Sequence, residues 1–224
     1  MRIMYKIALD GPSGGGKSTL AKMISAELGC LYVDTGALYR SVALYVCENG
    51  IDPHDAGAVI SALDNIKIEM KHEDGKQHVY LNGRDVGDSI RTPQVSACAS
   101  ITSAIPEVRA FLLGLQKDIA KTNNVIMDGR DIGTVIFPDA QVKIYLFASP
   151  EKRAERRYLE LKEKGVKTSY GEILAAVNER DKNDSERTAS PAVAAPDAVP
   201  LDNSELDLDG TFRRAMEIIR EKLA

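Results

Sequence analysis

The chain has 224 residues, with 33 acidic against 29 basic side chains, a formal charge of −4 and no tryptophan. With 44% apolar and 28% charged residues it has the profile of a folded globular protein, long enough for one α/β domain with an appendage. The acidic balance excludes a protein whose main task is coating a nucleic-acid backbone, which needs a basic surface, but it leaves room for small polyanions held by local cations.

In chain order, Tyr5 to Leu9 is a short apolar run ending at Asp10, followed by a glycine-rich loop. Leu20, Ile24 and Leu28 then share a helical face that stops at Gly29. Cys30 to Val33 reads as a second strand. Leu38, Val42, Tyr45 and Val46 line a second helix ending near Gly50 and Pro53. Residues 66 to 91 break the pattern: period-two alternation in Ile66–Met70 and His78–Leu81 flanks Asp74-Gly75, the signal of an antiparallel hairpin. Val125–Met127 and Val142–Phe147 supply two more strands. Strand–helix alternation of this kind predicts an α/β fold with a parallel sheet and helices on both faces.

From 150 to 187 the chain reads as a charged helical pair, with Pro150 opening the first helix and Ser169 and Glu172 forming a capping box for the second. An Ala/Pro-rich loop, 189 to 200, leads to a last short strand and a helix over 210 to 223. Pro200 confines that strand to a sheet edge. No apolar segment reaches membrane-spanning length and Met1–Lys6 does not read as a signal peptide. Cys30, Cys47 and Cys98 are widely spaced and odd in number, which points to free thiols and a cytoplasmic setting.

Gly11-Pro12-Ser13-Gly14-Gly15-Gly16-Lys17-Ser18 fits the P-loop pattern and lies between a strand and a helix. Its amides and the helix N-terminus face phosphates, Lys17 reaches the β/γ-phosphates, and the Ser18 hydroxyl suits Mg²⁺. Thr19 belongs to the same nucleotide cradle. The second strand ends in Asp34-Thr35-Gly36-Ala37-Leu38-Tyr39-Arg40, and in an open parallel sheet ligands bind beyond such ends. Arg40 there serves either a second phosphate or solvent, and Thr35 either that site or the helix cap. Asp128-Gly129-Arg130-Asp131 ends a third strand, with Asp128 placed to hold the metal directly or through water. Arg153, Arg156 and Arg157 fall on the first helix of the charged pair. Arg180, Asp184 and Arg187 share a face of the second, where guanidinium suits bidentate phosphate contact. A charged helical hairpin on a P-loop core has the organisation of a closing lid.

Together these motifs resemble bacterial cytidylate kinases, of the nucleoside-monophosphate kinase superfamily, from end to end. Besides the P-loop, the resemblance rests on Asp34–Arg40, on Asp128-Gly-Arg-Asp131-Ile-Gly-Thr134, and on Arg180-Asp181-Lys-Asn-Asp184-Ser-Glu-Arg187. It implies five parallel strands, a helical lid, and a nucleoside-monophosphate region enlarged by a small antiparallel sheet. The corresponding division is core 1–35, monophosphate region 36–105 with its insertion at 66–91, core 106–149, lid 150–190 and core 191–224. It also implies Mg²⁺-dependent transfer of the ATP γ-phosphoryl group to CMP or dCMP by a monomer without nucleic-acid or membrane partners. By that resemblance Arg40 and Arg130 bind the acceptor phosphate, in a site that includes Thr35, Gly36, Tyr39 and Asp128. Ser100, Arg109 and Asp131 read the cytosine edge. Arg180, Asp184 and Arg187 meet the sugar and the transferring phosphates, and Arg153 and Arg157 are the ATP-side lid arginines. Lys17, Arg130, Arg180 and Arg187 are then the catalytic set. From the residues alone, a kinase of another acceptor (UMP, AMP or an alcohol) and a regulatory P-loop ATPase both stay open.

Overall fold

The computed structural model describes residues 4–73 and 76–224. In chain order they form β1 (Lys6–Asp10), α1 (Lys17–Leu28), β2 (Leu31–Asp34), α2 (Thr35–Glu48) and α3 (Ala56–Ala62). There follow β3 (Ile68–Glu73), β4 (Lys76–Leu81), β5 (Arg84–Asp85), α4 (Pro93–Thr102), α5 (Pro106–Ile119) and β6 (Val125–Gly129). A short π-helical turn, Ile132–Ile136, precedes β7 (Val142–Phe147), α6 (Pro150–Glu163), α7 (Tyr170–Glu186), β8 (Val199–Asp202) and α8 (Leu208–Leu223).

The described residues form two compact units, one of residues 4–32 with 123–224 and the other of those between 33 and 122. The first is built on a five-stranded parallel sheet of order β2-β6-β1-β7-β8. Its central strands are apolar without alternation because both faces are covered: Ile7, Ala8, Leu9, Ile126 and Met127 are all fully buried. Leu20 and Ile24 of α1 pack in one core with Ala215, Met216 and Ile219 of α8. Pro200 occupies the edge strand β8, where its missing N–H breaks no ladder on the outer side. The chain leaves β1 for β2 on one side and crosses from β6 to β7 on the other, so the C-terminal end of β1 is a switch point of the sheet.

The second unit packs α2, α4 and α5 against an antiparallel sheet of order β3-β4-β5. Ile68 pairs with Leu81 and Met70 with Val79, facing Leu38, Val42 and Val46 of α2 across one core. The Asp74-Gly75 turn expected between β3 and β4 lies outside the described residues. The third strand went unpredicted, although Asn82-Gly83 signals it: both residues have positive φ (50° and 80°), the type I′ geometry that suits a two-residue hairpin. Val108 and Leu112 of α5 join the α2 core in this unit.

At helix termini the chain follows its capping chemistry. Ser169 and Glu172 form the reciprocal capping box of α7, and Ser149 caps α6 with Pro150 in its first turn. Asp34 caps α2, accepting from Ala37 N, so Thr35 is the first helical residue and not the cap. Arg187 turns out of α7 into extended geometry (φ −61°, ψ 138°), correcting the expected single face of Arg180, Asp184 and Arg187. All three cysteines are free thiols.

Candidate active site

The P-loop turns at Gly11, whose φ of +143° places the chain so close to β7 that a Cβ would lie 1.8 Å from the Leu146 carbonyl oxygen. Gly16 caps α1 in the left-handed region, presenting the helix N-terminus to the loop. Lys17 is buried, and its Nζ donates to the Pro12 carbonyl at 2.6 Å, folding the ammonium over the loop. Burial pushes its pKa well down, helped by the charges of Arg130 and Arg180 and opposed by those of Asp128 and Asp10. The Ser18 hydroxyl donates to Asp128 Oδ2 at 2.8 Å, and the Tyr32 hydroxyl donates to Oδ1 at 3.1 Å.

Asp10, the last residue of β1, was not among the expected site residues. Only 4% exposed, it accepts from the amides of Ile132 (2.8 Å) and Gly133 (2.7 Å). Burial outweighs those two bonds and raises its pKa to about 6.

Arg130 Nε donates to Asp184 Oδ2 at 2.9 Å, tying the end of β6 to α7. Burial works against ionisation of Asp184, but Arg130, then Arg180 and Arg187, hold its pKa below the usual carboxylate range. Arg187 Nη1 lies 3.9 Å from the same carboxylate, while its Nε donates to the Ser190 carbonyl at 2.6 Å. Asp128, Arg130, Asp131, Arg180, Asp184 and Arg187 thus lie in the same unit as the P-loop.

The two expected ATP-side arginines differ in setting. Arg153 is 3% exposed and bridges three partners: Ala148 O (2.9 Å), Ser13 O (3.0 Å) and the Asp181 carboxylate. Arg157 is exposed and pairs with Glu160 at 2.8 Å. Between them Arg156 donates to the Asn203 carbonyl at 2.7 Å, and Asn203 Nδ2 reaches Gly15 O at 3.1 Å. Asn203 carries no local motif signal because it acts from 188 positions away, and Asp181, inside the Arg180–Arg187 signature, is the partner of Arg153.

In the second unit Asp34 gathers two guanidiniums. Arg40 Nη2 lies 3.0 Å from its Oδ2 and Arg91 Nη2 3.6 Å, at the N-terminus of α2. A Cβ on Gly36 would meet Arg40 Nη1 at 2.9 Å, so the absent side chain there leaves room for the guanidinium. Arg109, buried on α5, stacks its guanidinium 5.2 Å from the Tyr39 ring centroid and donates to Ser103 O at 3.0 Å. Ser100 lies one turn earlier on α4, where its carbonyl accepts from the Ser103 hydroxyl at 3.3 Å. The second unit therefore brings Arg40 to Asp34 and Arg109 to Tyr39.

Residues 7–221 match the family model described as cytidylate kinase. A cytidylate kinase of Fervidobacterium nodosum is 48% identical over 217 residues, 97% of each chain. That of Caldicellulosiruptor bescii is 45% identical over 212 residues, 95% of this chain and 94% of its own. Among solved structures, an uncharacterized protein from Eubacterium ventriosum superposes with a TM-score of 0.54 at 12% identity, covering 98% of this chain and 99% of its own, a likeness of fold alone. With a family match spanning nearly all of its length and relatives close to half identical, the chain belongs to the cytidylate kinase family, a nucleoside-monophosphate kinase.

Proposed function

We propose that the chain transfers the γ-phosphoryl group of ATP to CMP or dCMP, with Lys17, Arg130, Arg180 and Arg187 as the catalytic cations. The observation that carries this reading is electrostatic. Burial and the charges of Arg130 and Arg180 lower the Lys17 pKa against the opposing pull of Asp128 and Asp10, so cations converge beside the phosphate loop, where the phosphates of a nucleotide would complement them. The acceptor is a phosphate oxygen, already anionic near neutrality, so no general base is required. His54 and His78 lie in the second unit and outside the four motifs. Rate enhancement comes from alignment and from neutralising charge on the equatorial oxygens.

The Ser18 hydroxyl and Asp128 carboxylate are adjacent hard-oxygen donors, which fit a magnesium ion that keeps waters and shares the nucleotide phosphates. Among the described residues no cluster of three or more His, Cys, Asp or Glu is arranged to hold a metal. Bound there, Mg²⁺ supplies Lewis-acid neutralisation of the phosphates. Asp184 keeps the Arg130 guanidinium oriented. Arg40, Thr35, Gly36 and Tyr39 receive the acceptor phosphate, and Arg109, Ser100 and Asp131 read the base. Residues 150–190 serve as the lid, with Arg153 and Arg157 on its ATP side, and 36–105 as the monophosphate region. The acidic total and the free thiols fit a cytoplasmic monomer working on small nucleotides, with no nucleic-acid or membrane partner.

Products separated by anion exchange test the reading. CMP and ATP should give CDP and ADP in equal amounts. Arg180→Ala should lower turnover far more than it weakens ATP binding, and equal losses in both would contradict its role.

A further inference from the structure

Asp10 stands between the phosphate loop and the Arg130–Asp131 turn. As the last residue of the central strand β1, it is followed directly by Gly11 of the phosphate loop. Its backbone is in register with Gly129 at the end of β6 and with Tyr145 on β7. The chain beyond Gly129 then carries Arg130 and Asp131 and returns so that Ile132 N and Gly133 N donate to Oδ1 and Oδ2 of the same Asp10, at 2.8 and 2.7 Å. One residue therefore closes the Arg130–Asp131 turn at both ends, by backbone pairing on one side and a two-pronged carboxylate on the other.

We propose that Asp10 is a positioning residue for phosphoryl transfer, holding the Arg130–Asp131 turn at a set separation from the phosphate loop. The inference rests on the kinase reading above and assigns a task to a buried carboxylate which that chemistry leaves unused. Two features support it. Gly133 is the residue that permits the approach: a Cβ there would lie 3.3 Å from Asp10 Oδ2 and 3.1 Å from Lys143 Cδ. Asp10 is also an awkward group to bury: burial disfavours its ionisation and Asp131 repels its charge, against the favourable pull of the two amides and Lys17. Sites that keep such a group in spite of the stability it removes are those where it has a task. An aspartate suits the position because both its oxygens accept. An asparagine presents an N–H to one of the two amides whichever way it is turned.

Steady-state kinetics on Asp10→Asn and Gly133→Ala, beside ADP binding by calorimetry, test this. Asp10→Asn should lower kcat about 10- to 100-fold, the size expected for misplacing a catalytic group by a fraction of an ångström to an ångström. ADP affinity should stay within about twofold, because the P-loop itself is untouched. Gly133→Ala, which leaves every charge in place, should show the same split with a smaller fall in kcat. Asp10→Asn with near-normal kcat, or an ADP affinity falling in step with kcat, would overturn the role. If Asp10→Asn does not fold, Gly133→Ala decides: unchanged kcat overturns the proposal. A wild-type chain without CMP-dependent turnover would instead defeat the kinase reading on which it rests.

Discussion

Replacing Arg153 by alanine should destabilise the protein before it alters catalysis. The guanidinium is 3% exposed and satisfies the carbonyls of Ala148 and Ser13 at 2.9 and 3.0 Å together with the Asp181 carboxylate. Its removal strands two carbonyls and one carboxylate. Breaking a buried ion pair costs about 3–5 kcal/mol, and because the Asp181 side chain is 27% exposed and can rehydrate, the lower end applies, about 3 kcal/mol. For a chain of this length that is a fall of about 6–12 °C in Tm. Circular-dichroism melts of wild type, Arg153→Ala, Asp181→Ala and the double variant provide the assay, and the two single losses should be clearly non-additive. ADP binding measured below the melting range should weaken modestly, through the lost hold on the Ser13 carbonyl. A Tm within about 1 °C of wild type combined with a large loss of ADP affinity would refute the reasoning, because Arg153 would then be a ligand with no structural duty.

Gly11→Ala should fail to give a native fold, or lose more than about 4 kcal/mol, because its Cβ would stand 1.8 Å from the Leu146 carbonyl oxygen. Near-normal denaturation would contradict the geometry. Asp10 sets a pH dependence of stability. Its pKa is raised from 3.8 to about 6 on folding, so below pH 3.8 both states are protonated and no stability is lost. As pH rises through that window the unfolded chain ionises first, and the folded state becomes less stable by about 3 kcal/mol in total. Urea denaturation should thus find the balance between wild type and Asp10→Asn moving toward the variant from pH 4 to pH 7. A gap independent of pH would show that Asp10 titrates normally. Ser18→Ala should raise the magnesium concentration needed for half-maximal rate at fixed ATP, and an unchanged requirement would remove Ser18 from the metal site.

The parts legible in the sequence are those written in contiguous residues. Gly11–Ser18, the Ser169–Glu172 capping box, the alternation flanking the hairpin and the edge proline Pro200 each carry their structure in a short window, and each forms as its chemistry requires. α4 was missed because Pro93–Thr102 is apolar and small-residue-rich nearly all round, leaving no amphipathic contrast to read. β5 was missed because a two-residue strand has no period, although Asn82-Gly83 announced its turn. In the candidate site the motifs name residues but not their partners. Nothing local to Asp10 predicts amides 122 and 123 positions away, nor does Asn203 disclose that it supports Gly15. Arg153 is the instructive case: the sequence places an arginine on a charged helix, and only packing reveals that its guanidinium is buried against Asp181 and the P-loop backbone. Long-range pairing of polar groups is set by the sheet order, which a single sequence does not display.

The central claim is that a nucleoside monophosphate is the phosphoryl acceptor, and coupled ADP release under saturating ATP and Mg²⁺ tests it most directly. Rates should be high with CMP and dCMP, far lower with UMP or AMP, and near background without an acceptor. ADP release that proceeds equally well with no monophosphate present would contradict the account.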